Sequence, residues 1–300
     1  MTIEQANRKS VRKPWGTTDL RPWVRVQEVG ATVGEMQYHR MSPEAPEPDL
    51  LLKLLFTGEA LSIQVHPDDD AARAAGLARG KTEAWYVLSA TPEARVGVGL
   101  RRTSTVEQVR AAAEDGTLDD LVDWRPVRAG DVVMVPAGTI HCIGAGLVIA
   151  EIQQRSDATY RLSDGARSRR LHLDEAMAVA RCGPADPFPA ARPLSANRLL
   201  LAAGPYFVFE RMTLPPNAYW DLEAMPETWV LLLEGRLRIG PVSLGPGEAA
   251  FVETEVARLA TGPEAVTALI AYAATESNAD LLTAVVPAAS NPGIRLLVTG

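Results

Sequence analysis

The sequence has four histidines, and two of them lie in segments with other side chains that can bind metal. In the segment QVH, Gln64 and His66 face one side of a strand, because strand side chains alternate. Lys81 and Glu83 share a face by the same rule, and His141 follows a Pro-Ala-Gly-Thr turn at the start of a β run. Two imidazoles and a carboxylate are a common ligand set for catalytic zinc or another divalent ion. The pattern predicts one metal ion bound by His66, Glu83 and His141, with Gln64 as a further oxygen ligand.

Each of these residues also has a structural interpretation. A histidine in a half-buried strand is more often hydrogen-bonded than metal-bound, so residue type and spacing alone leave the metal site undecided. His39 and His172 lie outside these segments, and we expect them to be surface or packing residues. Cys142 adjoins His141, so an extended strand would turn its thiol to the opposite face.

Strands dominate the framework that must position these residues, because short apolar or alternating runs are bounded by glycine and proline. In the first half these runs are LLLKLLF (50–56), LSIQVH (61–66), EAWYVLS (83–89), ARVGVGL (94–100), DVVMVP (131–136) and LVIAEIQQ (147–154). In the second half they are YFVFERMTL, TWVLLLEG, RLRIG, EAAFVE and VTALIAYAA. This spacing favours a β-sandwich or barrel.

Helical patterns interrupt the strands only in the first half. In one of them Ser104 and Glu107 form a capping-box pattern, and Gly116 is a plausible stop. The predicted helices are DDDAARAAGLA (68–78), STVEQVRAAAEDG (104–116), LDDLVDW (118–124) and LDEAMAVA (173–180).

Two domains are favoured for a chain of 300 residues with 47% apolar content, although one large β domain stays open. The segment RCGPADPFPAARPLSAN (181–197) carries four prolines and little apolar periodicity, as linkers do. We therefore predict a metal-binding domain with helical insertions over 1–185 and a second β domain without metal ligands over 186–300.

An internal repeat relates the two halves. The segments GDVVMVPAGTIH and GEAAFVETEVAR align without gaps and place His141 opposite Arg258. A second match, with its own offset, aligns EAWYVL with ETWVLL and places Glu83 opposite Glu227. No histidine follows His172, so the second copy could hardly build the same metal site.

Composition excludes several classes of function. A net charge of -7 argues against nucleic acid as a partner, and no basic amphipathic or long apolar segment suits a membrane. Cys142 and Cys182 have no CxxC spacing, so we expect buried, inert thiols rather than a disulfide or a zinc cluster. The first residues show no signal-peptide pattern, which predicts a cytoplasmic protein. A small anion in a locally basic pocket remains open, and so does the oligomeric state.

Four motifs run in order along the first 180 residues: KPWG (13–16), LLLKLLFTGEALSIQVHPDDD (50–70), GKTEAWYVL (80–88) and VPAGTIHCIGAGLVIAEIQQRSDATYRLSDGAR (135–167). Together they resemble the type I phosphomannose isomerases, metal-dependent cupins that interconvert mannose 6-phosphate and fructose 6-phosphate. The last segment is a specific match, and the shorter ones support it in order and spacing.

The resemblance implies an all-β fold of two cupin-like jelly-roll β-barrel domains, with a few short helices in the N-terminal part. It implies a zinc-dependent aldose–ketose isomerase that acts on a small sugar phosphate through a cis-enediol. His66, Glu83 and His141 match the family's metal ligands, and Gln64 matches a ligand of some members. Arg161 in TYRL matches its active-site arginine.

The remaining roles stay open. Arg161 would steady the enediolate or position the sugar; otherwise it is a structural ion-pair partner of Asp157 or Asp164. Lys81 matches a pocket lysine of the family and would bind phosphate or take part in proton transfer. Ser62 is a candidate phosphate donor or a plain barrel-lining serine. Four further arginines add positive charge or simply form a solvated face, namely Arg155, Arg167, Arg169 and Arg170.

The segment after TYRL departs from the family, which usually has an aromatic residue where this chain reads SDGAR (163–167). This departure leaves the exact sugar open. Two other functions compete with the isomerase: a sugar-phosphate sensor without turnover, and a cupin oxygenase, which would normally need a third histidine and iron.

Overall fold

The computed structural model describes residues 2–24, 32–165, 167 and 169–285. Its first half contains twelve strands: β1 (Thr2–Gln5), β2 (Asn7–Val11), β3 (Glu35–His39), β4 (Leu50–Thr57), β5 (Ile63–Val65), β6 (Glu83–Ala90), β7 (Arg95–Leu100), β8 (Val122–Pro126), β9 (Val132–Val135), β10 (His141–Ile143), β11 (Leu147–Gln154) and β12 (Tyr160–Ser163). Four helices lie between them: α1 (Asp69–Ala74), α2 (Val106–Asp115), α3 (Leu118–Leu121) and α4 (Leu173–Val179).

The second half is built from strands. These are β13 (Arg192–Pro193), β14 (Arg198–Ala203), β15 (Val208–Leu214), β16 (Tyr219–Leu222), β17 (Thr228–Glu234), β18 (Leu237–Ile239), β19 (Val242–Leu244), β20 (Ala249–Glu253), β21 (Ala257–Thr261), β22 (Val266–Tyr272) and β23 (Leu282–Val285). The helices found in the described residues all lie in the first half. None of them has the length and apolar composition needed to span a bilayer.

The strand order is duplicated, as the internal repeat predicts. One sheet of the first half contains β3-β4-β11-β6-β9, and the second half repeats it as β14-β15-β22-β17-β20. The facing sheets repeat as well, as β12-β5-β10-β7-β8 and β23-β16-β21-β18-β19. Each half is therefore a jelly-roll barrel of two antiparallel sheets, which confirms the predicted all-β fold.

One strand connects the two barrels. β1 pairs with β20 of the second barrel, with Thr2 opposite Glu253, whereas β2 pairs with β3 of the first. The division at residues 185 and 186 stays a prediction, and its second part extends into residues 286–300, which lie outside the described residues.

The barrels pack through their larger sheets. Leu52 and Leu54 of β4 lie in one apolar cluster with Phe209 and Trp229 of the second half. Leu55, two residues along from Lys53, lies instead in the cluster inside the first barrel. Both faces of β4 are covered, which explains why LLLKLLF is buried throughout. Side chains of odd number in this strand point into the first barrel.

Three local predictions were wrong in detail. The cap of α2 is Thr105, whose side chain accepts from the Gln108 amide, one residue later than the predicted Ser104. The helix predicted over LDDLVDW ends at Leu121, because the following residues pair as β8 with β7. Cys182 is half-buried rather than buried. Gly116 does end α2, in the left-handed conformation.

Candidate metal centre and cleft

Both predicted histidine ligands are oriented by backbone carbonyls. His66 follows β5, and its Nδ1 lies 2.7 Å from the carbonyl oxygen of Ala158. His141 begins β10, and its Nδ1 lies 2.9 Å from the carbonyl oxygen of Thr139. A carbonyl oxygen only accepts, so each Nδ1 carries the proton and each Nε2 keeps a free lone pair. Metal-binding histidines are commonly held in this way.

Glu83, the first residue of β6, lies between the two imidazoles. Its Oε2 is 3.5 Å from Nε2 of His66, and its Oε1 is 3.5 Å from Nε2 of His141. Ligand atoms about 2.1 Å from a tetrahedral zinc ion lie about 3.4 Å from one another. The donor atoms of all three residues lie within 4.8 Å of one another, so the set fits one ion.

Burial and neighbouring charge keep these groups in ligand form. Burial, followed by the Lys81 charge, lowers the pKa of His66 to about 3. Burial also lowers the pKa of His141. Burial alone would raise the pKa of Glu83, but Lys81 and the two histidines outweigh it and hold that pKa well below its usual range. At neutral pH the site presents two neutral imidazoles and a carboxylate.

Gln64 and Ser62 lie directly beside this set. The Gln64 amide nitrogen is 3.3 Å from Nε2 of His141, and its oxygen accepts from the Ser62 hydroxyl at 3.0 Å. To bind the same metal through oxygen, the Gln64 amide would turn over, which would break its bond from Ser62.

Lys81 is buried and contacts the metal-binding set itself. Its ammonium lies 2.9 Å from Nε2 of His66 and donates to Oε2 of Glu83. The predicted shared face of Lys81 and Glu83 is therefore present. Lys81 uses the same lone pairs that a metal ion would need.

A buried charge network, which the sequence did not reveal, continues from Glu83 across the floor of the barrel. The indole Nε1 of Trp85 donates to Oε1 of Glu83 and to Oε2 of Glu151, both at 3.2 Å. Lys53 lies 3.2 Å from Glu151 and 3.9 Å from Glu35. The only sequence signal was a lysine or glutamate inside an apolar run, in LLLKLLF and LVIAEIQQ.

The carboxyl of Glu151 has an unusual environment in this network. Burial and the nearby charge of Glu83 raise its pKa, although Lys53 and Lys81 oppose the shift. Lys53 also donates to the side-chain oxygen of Gln153 at 2.6 Å. Glu151 thus takes up a proton more readily than an ordinary glutamate.

These groups line one cleft of about 480 Å³. Ser62, Gln64 and Glu83 lie on its wall, with His66 and His141 behind Glu83. Acidic residues on the wall are fewer than basic ones: Glu35, Glu83, Glu151 and Asp157 against Lys9, Arg12, Lys13, Lys53, Lys81, Arg161 and Arg169. The cleft is therefore locally basic in an acidic chain.

Arg161 lies on this wall without a carboxylate partner in the described part of the chain. Its Nε is buried with no hydrogen-bond partner there. Asp164, one proposed partner, is instead held by Arg169 at 2.9 Å and by Arg167 at 3.2 Å. The other proposed partner of Arg161 is Asp157, which also lines the cleft. No ion pair joins Arg161 to Asp157 among the described residues. Arg161 thus forms no ion pair with either carboxylate in the described residues; burial and the charge of Arg169 lower its pKa, and the nearby charge of Asp164 opposes that shift.

The other basic residues separate into different environments. Arg169 lines the cleft, whereas Arg155 donates to the carbonyls of Pro48 and Leu50. Arg170 is exposed near Glu175, at 3.8 Å. Of the downstream arginines, only Arg169 contributes charge to the cleft wall itself.

The remaining candidates lie apart from the metal-binding set. His39 is half-buried against Gln37, at 3.2 Å. His172 precedes α4, and its Nδ1 accepts from the backbone amide of Arg161 at 3.2 Å, so it fixes the strand that carries Arg161. Cys142 packs on the face opposite His141, and burial raises the pKa of its thiol to about 12.

The second barrel uses the corresponding positions differently. Arg258, opposite His141 in the repeat, bonds Asp221 at 2.6 Å. Glu227, opposite Glu83, accepts the backbone amides of Asp49 at 2.7 Å and Leu50 at 3.0 Å. It thus anchors the start of β4 in the first barrel. In the described residues, His66, Glu83 and His141 are the one group found that could hold a metal ion.

Sequence comparisons find relatives over part of the chain. The chain is 37% identical over 198 residues to the mannose-6-phosphate isomerase of Streptococcus mutans, a match of 63% of this chain and 62% of that protein. It is 38% identical over 161 residues to a mannose-6-phosphate isomerase of Bacillus subtilis, covering 50% of this chain and 51% of that one. The chain thus spans less than two thirds of these curated relatives. No protein-family model matches it.

Solved structures share the fold along nearly the whole chain. The mannose 6-phosphate isomerase of Bacillus subtilis superposes with a TM-score of 0.77 and 23% identity, over 91% of this chain and 100% of that one. A putative mannosephosphate isomerase of Archaeoglobus fulgidus gives 0.71 and 16%, over 90% and 97%. The resemblance to phosphomannose isomerases is confirmed, in partial sequence similarity and in fold.

Proposed function

We propose that this chain is a metal-dependent aldose–ketose isomerase that interconverts mannose 6-phosphate and fructose 6-phosphate. The observation that carries the proposal is the buried set of His66, Glu83 and His141, with both Nε2 atoms unprotonated, beside a basic cleft. The relatives that share part of the sequence carry the same activity in their names.

The residues fit a zinc ion in number, type and spacing, with Gln64 as a further ligand after its amide turns. When bound there, such an ion supplies Lewis-acid polarisation of the sugar carbonyl and positive charge beside the developing oxyanion. Zinc itself is part of the proposal.

The wall of the cleft provides the binding energy for an anionic sugar. Arg161 offers a guanidinium without a carboxylate partner in the described residues. The enediolate oxygens, as their negative charge develops, or the sugar hydroxyls can accept hydrogen bonds from it. Lys81, displaced from His66 and Glu83, would donate to the same oxygens. Lys9, Lys13 and Arg169 also line the cleft and suit the phosphate group.

The proton transferred between C1 and C2 needs a group that both accepts and returns it. His66 and His141 are unsuitable, because a bound metal ion would take up their unprotonated nitrogens. Glu151 is suited to the task, because it lines the cleft and burial raises its pKa. The Trp85 indole N–H joins it to Glu83, which fixes the carboxyl relative to the metal ligands.

The test is conversion of fructose 6-phosphate to mannose 6-phosphate by the purified chain and by matched variants. We expect conversion in the wild type and a loss of at least a hundredfold in His141→Ala. Arg258→Ala removes the corresponding residue of the second barrel and should leave the rate unchanged. Far-ultraviolet circular dichroism of both variants establishes that they are folded.

Two results would overturn the proposal. Tight binding of the sugar phosphate without conversion would identify a sensor, and oxygen consumption with bound iron would identify an oxygenase. A cytoplasmic location stays a prediction and is unaffected by either result.

A further inference from the structure

A second groove, larger than the cleft, lies on the outer face of the second barrel. It has a volume of about 690 Å³ and is lined by β18, β19, the end of β21 and the segment around Trp23. None of the residues assigned to the isomerase reaction lines it. It therefore needs an explanation of its own.

Three arginines converge on this groove. Arg238 of β18 and Arg236, the residue before this strand, flank the buried Leu237, and both arginines are exposed. Arg8 comes from β2, on the other side of the groove. Within the described residues none of the three forms an ion pair, and Arg238 bonds only the carbonyl of Gly240, at 3.3 Å.

Glu248 is the one carboxylate of the groove lining, and it is already engaged. Its Oε2 accepts the backbone amide of Gly245 at 2.8 Å. The lining thus keeps an excess of positive charge in a chain whose net charge is -7. Keeping like charges together costs free energy unless an anion binds between them.

Small residues make room beside the arginines. Ala260 of β21 pairs with Arg238 across the sheet, and Gly262 is the first residue after that strand. A Cβ at Gly262 would approach the Cβ of Arg236 to 3.2 Å, so a side chain there would crowd the guanidinium stem. The hydroxyls of Ser243 and Thr261 also lie on the lining.

Trp23 closes one end of the groove. Its indole Nε1 is buried without a hydrogen-bond partner among the described residues. Its ring therefore contributes to the wall of the groove, beside Arg8.

We propose that this groove is a second, non-catalytic binding site for a small molecule with a terminal phosphate group, held by Arg8, Arg236 and Arg238. Paired guanidinium groups are the preferred partners of phosphate in proteins. The site stands independently of the isomerase reaction, since it shares none of the groups used there. The two cavities share a strand, because Arg8 faces the groove and its neighbour Lys9 faces the cleft.

The test is the number of inorganic phosphate ions bound per chain in equilibrium dialysis. We expect two in the wild type, and one in the cleft variant Lys9→Ser/Arg169→Ser, which lacks two of the residues assigned to the phosphate group there. The double variant Arg236→Ser/Arg238→Ser should bind one, with its remaining phosphate lost on adding Lys9→Ser/Arg169→Ser. If the cleft does not bind phosphate, the wild type binds one ion and the groove variant binds none, so the two proposals fail separately.

Two further variants separate a built site from general charge. Arg102→Ser/Arg192→Ser removes the same charge from exposed positions outside both cavities and should leave binding unchanged. Ala260→Leu keeps the charge but fills the groove, and should weaken groove binding at least tenfold. Equal binding by the groove variant and the wild type would overturn the proposal, and so would an equal loss in the control.

Competition identifies the source of the phosphate group. Adenosine 5′-monophosphate and glucose 1-phosphate are added separately at millimolar concentration to the Lys9→Ser/Arg169→Ser variant. Displacement of the bound phosphate by either compound supports the proposal and identifies a nucleotide or a sugar as the carrier. Displacement by neither means that only a free ion binds, which contradicts it.

Discussion

Lys81 should weaken metal binding, and its removal should strengthen it. Its ammonium lies 2.9 Å from Nε2 of His66, the atom that would bind the metal. Zinc would lie about 2 Å from this nitrogen on its lone-pair side, where the ammonium now lies, so Lys81 must move aside before the ion binds. Even with the two cations about 5 Å apart, their repulsion is about 7 kcal/mol at an effective dielectric constant of about 20.

Outward rotation of the Lys81 side chain into the open cleft relieves most of this repulsion. We expect about 1.4 to 2.8 kcal/mol to remain, which corresponds to a tenfold to hundredfold effect on the dissociation constant. Lys81→Met also leaves the buried Glu83 with less positive charge nearby in the metal-free chain. Both effects favour metal binding in the variant.

The measurement is zinc affinity in competition with a chromophoric chelator at neutral pH. Lys9→Met is the matched control, because Lys9 also lines the cleft but is exposed and does not touch the metal-binding set. We expect its affinity to change less than twofold. Unchanged or weaker zinc binding by a folded Lys81→Met variant would refute the reasoning.

Three further predictions concern stability. His66 has a pKa of about 3 in the folded chain, below its unfolded value. The free energy of unfolding of the metal-free chain is therefore at its full value above about pH 6.5 and decreases as the pH is lowered, by up to about 1.4 kcal/mol per pH unit for each such histidine. Equal free energies of urea unfolding at pH 7 and pH 5 would contradict this. Glu210 is fully buried and accepts hydrogen bonds from Arg198 at 2.8 Å and from Tyr272 at 2.7 Å, so Glu210→Gln should lower the free energy of unfolding by about 3 to 5 kcal/mol. Asp221→Asn, at the exposed pair with Arg258, should lower it by less than about 1 kcal/mol. Comparable losses in urea unfolding would show that burial does not set the cost. Gly247 has a φ of 78°, and a Cβ there would lie 1.8 Å from the Trp23 carbonyl oxygen. Gly247→Ala should therefore lower the melting temperature far more than Gly130→Ala, whose Cβ would meet no atom within 4 Å. Equal shifts in melting temperature would disprove the clash.

Local patterns in the sequence predicted the parts of the fold that depend on local chemistry. The alternation around Gln64 and His66 placed both on one face, and the two repeat matches found the duplicated barrel. The cap of α2 was misplaced by one residue because Ser104 and Thr105 each begin a pattern of the same kind.

The parts that the sequence did not reveal depend on distant pairing. Lys53 and Glu151 meet only because β4 and β11 pair in register, and each is the single charged residue of a mainly apolar run. β1 joins the second barrel through Ile3 opposite Val252, a contact that no local pattern indicates. The partners of Asp164 likewise depended on how the segment after Arg161 folds back, which composition does not fix.

Metal content and isomerase activity measured on the same purified sample test the central claim most directly. We predict about one equivalent of zinc per chain, and conversion of fructose 6-phosphate that disappears with the zinc on chelation and returns when zinc is restored. A chain that binds zinc at His66, Glu83 and His141 and holds the sugar phosphate, yet shows no conversion at any metal loading, would contradict it.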